Sequence, residues 1–216
     1  MSLGATAIGL PIKLIRTIND SGQIYEVGGA VRDRIRHSLS LDAVSLDPAK
    51  FWSYRAEEVD YLVTGLPLQS LVETLRSYGH VELVGKTFGV IKFRLELPEP
   101  SPRLVDIALP RRETSTGPGH RDFEIVYDPG LRVEDDLARR DFTMNAIALL
   151  IKCPRAETPT HEIELTDPFG GLRDIKDRLI RMVNPDAFRE DPLRMLRACQ
   201  FAARFQFSME RDTFRA

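Results

Sequence analysis

The sequence predicts an α/β (α+β) fold, and three observations carry that prediction. A short apolar run at residues 24–27 meets Gly28-Gly29 and then a stretch with helical character, so a strand turns directly into a helix. Residues 58–64, Glu-Val-Asp-Tyr-Leu-Val-Thr, are dense in β-branched and aromatic types, as strands are. Residues 66–78 put Leu68, Leu71, Val72 and Leu75 on one helical face, suited to packing on a sheet.

Composition narrows the classes. A chain of 216 residues suffices for one large domain, or a domain with an extension. With 29% charged residues, and apolar runs no longer than that at 146–151, no membrane span is expected. The start lacks a basic segment followed by a long apolar core, so no secretory signal is expected either. Cys153 and Cys199 are the only thiols, which fits a cytoplasmic protein with neither disulfide nor zinc site. The net charge of −2 is not that of a general nucleic-acid binder. It is uneven, however: residues 172–216 carry ten Lys/Arg against seven Asp/Glu, which makes them the better neighbour for phosphate.

In chain order, residues 12–18 read as a short amphipathic helix and residues 31–37 as the helix after the glycine pair. Residues 37–56 mix Ser, Asp and Pro with Phe51, Trp52 and Tyr54 without a period, and read as a long loop or inserted lid. Strands are expected at 81–84 and 88–95 around Gly85-Lys86-Thr87, and at 103–109. Residues 111–130, rich in Gly, Thr, Ser and Pro, read as a mobile loop. Residues 134–146 read as one charge-dense helix. Then come a strand at 163–166, a helix at 172–177, a strand at 179–183, and a helical segment at 186–205 broken at Asp191-Pro192. No internal repeat is present.

Several residues carry chemistry. Strand, Gly28-Gly29, helix is a phosphate-holding arrangement: glycine permits close backbone approach, and a helix start offers unpaired N–H groups and positive potential. Arg32, in the first turn, adds a mobile positive charge, or else forms a surface ion pair. Alternation along a strand puts Glu58 and Asp60 on one face, where two carboxylates call for a cation, magnesium by ligand type, unless they only mark a solvated strand entrance. Asp106 lies in an otherwise apolar strand and needs a partner: Arg111, Arg112 or the same metal. Arg139, Arg140, Asp141 and Asn145 offer donors and acceptors for a ribose and phosphates, or ion pairs within a helix. Asp191 ahead of Pro192 is a natural N-cap, with Arg194 and Arg197 one turn apart on the helix that follows.

Taken in order, Gly28-Gly29-Ala30-Val31-Arg32-Asp33, Glu58-x-Asp60, the stretch Arg139-Arg140-Asp141-Phe142-Thr143-Met144-Asn145-Ala146, Asp167-Pro168-Phe169-Gly170-Gly171, and Glu190-Asp191-Pro192-Leu193-Arg194-Met195-Leu196-Arg197 resemble the bacterial class II tRNA nucleotidyltransferases and their poly(A) polymerase relatives. The resemblance runs from about residue 23 to the end, omitting 37–56. It implies a polymerase-β-like head with a mixed sheet flanked by helices over residues 1–165, and the start of a helical neck over 166–216. It also implies that the C-terminal RNA-binding domains of the family are absent. The implied activity is template-independent addition of CMP and AMP, or one of them, to the 3′ end of a tRNA or another RNA, with ATP and CTP as substrates and two magnesium ions.

By position, Glu58 and Asp60 would hold the metal and Asp106 would be the third catalytic carboxylate. Gly28, Gly29 and Arg32 would hold the triphosphate. Arg139, Arg140, Asp141 and Asn145 would bind sugar and phosphates. Asp191 and Arg194 would read the base edge, and Arg197 would add a phosphate contact. Three features depart from the family pattern. Glu58 stands where Asp is usual, the link at 37–56 is longer, and Gln200 replaces a residue that is basic in many members. A poly(A) polymerase, or a module that binds nucleotide without turnover, are the alternative readings. No oligomeric state follows from the sequence.

Overall fold

The computed structural model describes residues 9–39, 45–84, 90–95, 104–115, 123–153 and 163–216. The expected turn at 85–87, the first two residues of the expected strand at 88–95, and Arg103 lie outside the described residues, as do parts of the segments 37–56 and 111–130. No described helix is long and apolar enough to cross a membrane.

The chain begins with α1 (Ile12–Asn19), whose Leu14, Ile15 and Ile18 are buried as the amphipathic pattern requires. β1 (Gln23–Val27) then passes through Gly28 into α2 (Gly29–Ser38). The strand alternates as a strand between two layers must. Ile24 joins the larger core with Leu14, Ile15, Val31 and Ile35. Tyr25 and Val27 join a smaller cluster with Leu62, Leu137, Ala146 and Ala148 on the opposite face. Glu26 is fully buried on β1, and Arg34 of α2 answers it from 2.7 and 3.2 Å. A buried charge pair persists only when both members are present and well bonded.

Residues 37–56 are not one long loop. α2 extends through Ser38, and α3 (Pro48–Ser53) forms further on, with Asp47 accepting hydrogen bonds from the amides of Ala49 and Lys50. Phe51 is fully buried, and the Tyr54 carbonyl accepts a 2.7 Å hydrogen bond from Arg34. A helix of six residues is under two turns and too short to show a period, which is why the sequence hides it.

β2 (Asp60–Thr64), α4 (Leu68–Arg76), β3 (Gly79–Val84), β4 (Val90–Leu95) and β5 (Leu104–Ala108) follow as expected within a residue or two. The strand β2 starts at Asp60, so Glu58 sits in the bend before it, not on it. The polar stretch after β5 is a hairpin, not a loop: β6 (Arg111–Ser115) pairs antiparallel with β7 (Phe123–Tyr127).

The helix expected at 134–146 stops early. α5 (Val133–Ala138) ends, and residues 143–145 form a separate 3₁₀ turn. Between them Phe142 bridges Met182, and Thr143 N–H donates to the Arg181 carbonyl at 2.9 Å. Asp141 draws the Phe142 amide onto its own carboxylate at 2.8 Å, the local competition that makes Asp a poor interior helix residue. β8 (Ala148–Ile151), unread in the sequence, takes an apolar run too short to separate strand from helix.

β9 (Leu165–Thr166), α6 (Gly171–Lys176), β10 (Leu179–Ile180), α7 (Ala187–Glu190), α8 (Leu193–Phe205), β11 (Ser208–Met209) and α9 (Arg211–Arg215) complete the chain. A Cβ at Gly171 would lie 2.1 Å from the Thr143 carbonyl oxygen, so only glycine lets α6 approach the 3₁₀ turn. The main sheet runs β3-β4-β5-β2-β1-β8-β9; among its described pairings β2–β5 is parallel and the rest are antiparallel. The larger core continues from the sheet through Phe142 and Ile175 to Ile180, Phe188, Phe201 and Phe205.

Candidate functional site

A polar cavity of about 970 Å³ opens where β1 ends, β2 begins and α8 passes over them. Its walls bring together Gly28, Gly29, Arg32, Glu58, Asp60, Arg139, Arg140, Asp141, Asn145, Asp191, Arg194 and Arg197. Asp106 is the one expected site residue not on this lining.

Gly28 has φ +76°, a left-handed conformation that favours glycine, and a Cβ there would lie 3.1 Å from Arg140 Nη1. The glycine pair therefore begins α2 at the cavity wall, with helix N–H groups close at hand.

The carboxylate edge is built by register. Asp60 pairs with Asp106 across the parallel β2–β5 contact, so both project from one face of the sheet. Lys92, opposite Asp106 on β4, donates to its two oxygens at 3.1 and 3.3 Å. The partner of Asp106 is thus Lys92, where the sequence offered Arg111, Arg112 or a metal. Only the register between β4 and β5 reveals it. Asp60 keeps access to solvent through the cavity, but burial against the walls still raises its pKa. The charges of Asp106 and Glu58 raise it further, and Arg140 and Lys92 offset only part of this. Glu58 thus acts on Asp60 electrostatically from its bend. Among the described residues no three His, Cys, Asp or Glu side chains gather closely enough to hold an ion by themselves.

The arginine side is a closed network. Asp136, 1% exposed, binds both Arg139 and Arg140, the latter at 3.1 Å. Burial pushes its pKa up, but the two guanidinium groups outweigh that and hold it below the usual carboxylate range. Arg32 is not a mobile charge. It is 4% exposed, donates to both oxygens of Asp33 and, at 2.8 Å, to Asn145 Oδ1, and lies over the Phe205 ring. Asn145 donates in turn to Asp141 at 3.0 Å, and Asp141 accepts from Arg197 at 2.8 Å. One chain of hydrogen bonds thus ties α2, the 3₁₀ turn and α8.

Just ahead of α8, Asp191 Oδ1 accepts the Leu193 amide at 3.0 Å, the capping bond expected of it. Arg194 donates to Glu190 and, at 3.0 Å, to the Arg139 carbonyl. The sequence also left unread Tyr54, Arg55 and Glu57 from beside α3, and Phe201 and Arg204 from α8, all on the cavity wall.

The mixed sheet and its cavity of carboxylates and arginines are those of a nucleotidyltransferase head, and the chain belongs to the family described as the poly(A) polymerase head domain, which matches residues 24–181. It is 38% identical over 192 residues to the multifunctional CCA protein of Nitrosococcus oceani, covering 88% of this chain and 37% of that protein. The Bacillus stearothermophilus CCA-adding enzyme in complex with CTP is similar with TM-score 0.63 and 26% identity, over 94% of this chain and 40% of that one. A tRNA nucleotidyltransferase complexed with a primer tRNA and an incoming ATP analog has TM-score 0.62 and 30% identity, over 94% of this chain and 47% of that one. The chain spans less than half the length of each of these relatives.

Proposed function

We propose that this chain is the catalytic head of an RNA nucleotidyltransferase that adds CMP and AMP to the 3′ end of tRNA. The observation that carries the reading is one cavity lined by a Gly-Gly helix start, a carboxylate of raised pKa and an Asp–Arg pair. The relatives described above, bound to CTP, an ATP analog and primer tRNA, supply the substrate class. In the reaction the RNA 3′ hydroxyl loses its proton to water, its oxygen bonds to the α-phosphorus, the bond from that phosphorus to the bridging oxygen breaks, and pyrophosphate leaves.

The residues divide the work. Gly28, Gly29 and Arg32 border the triphosphate. Arg139, Arg140 and Asn145 face sugar and phosphate oxygens. Asp191 and Arg194 offer acceptors and donors that match the edges of C or A, so side chains replace a nucleic-acid template. Magnesium suits Asp60 and Glu58, because this ion takes only one or two carboxylates and completes its shell with phosphate oxygens and water. Burial first, and then the charges of Asp106 and Glu58, raise the pKa of Asp60 beyond what Arg140 and Lys92 offset. When bound, the ion supplies Lewis-acid stabilisation of the phosphate oxygens. Residues 166–216 begin the helical neck in this reading.

The test is incubation of the protein with magnesium, each nucleotide and a tRNA lacking its terminal CCA, reading pyrophosphate release and the sequence of the 3′ ends. Ends completed with C and A support the reading. Long A tracts would support the poly(A) polymerase alternative. Nucleotide binding without pyrophosphate release would leave a binding module.

A further inference from the structure

The arginines around the cavity are almost all spoken for. Arg32 is committed to Asp33 and Asn145, Arg139 and Arg140 to Asp136, Arg194 to Glu190, and Arg197 to Asp141. Arg204 lies with its guanidinium 5.2 Å from the Phe205 ring centre. Arg55 alone among the described arginines of the lining has neither an ion pair nor a ring contact, and it is exposed to the cavity.

Its backbone is held firmly all the same. The preceding carbonyl, that of Tyr54, accepts from Arg34, which is itself fixed by buried Glu26. Phe51 anchors α3 in the core, and the Tyr54 ring packs 5.5 Å from His37. A free guanidinium on a fixed backbone, facing a polar cavity, is the arrangement that binds phosphate by paired charge-assisted hydrogen bonds.

We propose that Arg55 is a phosphate-binding residue of this cavity, presented by the α3 segment. The inference rests on the function proposed above and adds a residue that none of the shared motifs contains. The phosphate belongs either to the incoming nucleotide or to the RNA end, and the test separates these sources.

Equilibrium binding of CTP, inorganic tripolyphosphate, cytidine and a short RNA is measured for the parent, Arg55→Gln, Arg55→Lys, and Arg76→Gln as a distant control of equal charge change. Arg55→Gln is expected to weaken CTP and tripolyphosphate roughly tenfold, as loss of one charge-assisted contact does, and to leave cytidine unchanged. Arg55→Lys should recover part of the loss. Weakening of RNA alone assigns the phosphate to the RNA end. If Arg55→Gln matches Arg76→Gln for every probe while the parent binds CTP, this inference falls and the function stands. If the parent binds neither CTP nor RNA, both fall. Arg55 is exposed, and unchanged thermal unfolding confirms that the variant is folded.

Discussion

Asp60 lines the cavity and Asp136 is buried behind Arg139 and Arg140, and the two carboxylates have opposite electrostatics. Asp136 is buried between two guanidinium groups, which hold its proton affinity down. Burial against the wall, and then the charges of Asp106 and Glu58, drive the proton affinity of Asp60 up. The arginine side therefore stabilises the fold with charge already paired, while the carboxylate side retains charge that a cation or a donor can use. Fold stability and ligand chemistry thus rest on different carboxylates, and substitutions at the two should separate them experimentally.

The largest effect is expected at Asp60. Asp60→Asn should lower nucleotidyl transfer by on the order of 10²–10³-fold, the range for losing one preorganised charge at a reaction centre. It should also raise the melting temperature, since it relieves repulsion by Asp106 and Glu58. Turnover at the parent rate would contradict the assignment.

Asp136→Asn should do the reverse. It should lower stability by about 2–3 kcal/mol, less than a fully buried pair because both arginines keep some solvent contact. Denaturant unfolding reads this directly.

The base-reading assignment comes next in size. Asn caps a helix about as well as Asp, so Asp191→Asn should leave stability unchanged. Loss of one polar match should still weaken the preference for CTP and ATP over UTP and GTP by about tenfold or more. Arg194→Ala should act on the same preference. Competitive incorporation is the measurement, and unchanged preference in both variants would leave Asp191 as a cap only.

The smallest effect is the pH dependence. Above about pH 4 an unfolded carboxylate is ionised. Asp136, whose folded pKa is depressed, contributes stability there, and loses it as pH falls through that depressed value. Asp60, whose folded pKa is raised, makes the fold less stable as pH climbs from about 4 through its folded value. Subtracting the urea curves of the two variants from the parent between acid and neutral pH should give slopes of opposite sign.

How much of this was legible in the sequence follows the same division. Gly28-Gly29 and Asp191-Pro192 announce themselves because each is a local rule: a turn and a cap. The shared face of Asp60 and Asp106 depends on the register between β2 and β5, which alternation within one strand does not give. What did not come through depends on partners distant in sequence. Lys92 becomes meaningful only when β4 lies beside β5. Arg32 reads as a mobile charge until Asn145, over a hundred residues away, claims it. The break after Ala138 is decided by Arg181 and Met182, which supply strand-like contacts that the helical pattern of residues 134–146 cannot foresee. Glu58 looked like a strand residue because alternation gives no sign of where β2 starts.

Gly28 touches both sides of the cavity. A methyl group there would lie 3.1 Å from Arg140 Nη1 and 3.6 Å from Asp60 Oδ2. The gap between the positive and negative walls at this point is therefore fixed by bare backbone. A residue other than glycine at this position would crowd Arg140 Nη1, come into contact with Asp60 Oδ2 and strain the backbone at φ +76° where α2 starts. The cavity has its gauge at Gly28, and every rearrangement elsewhere in the site has to be made within a width set by an atom that is not there.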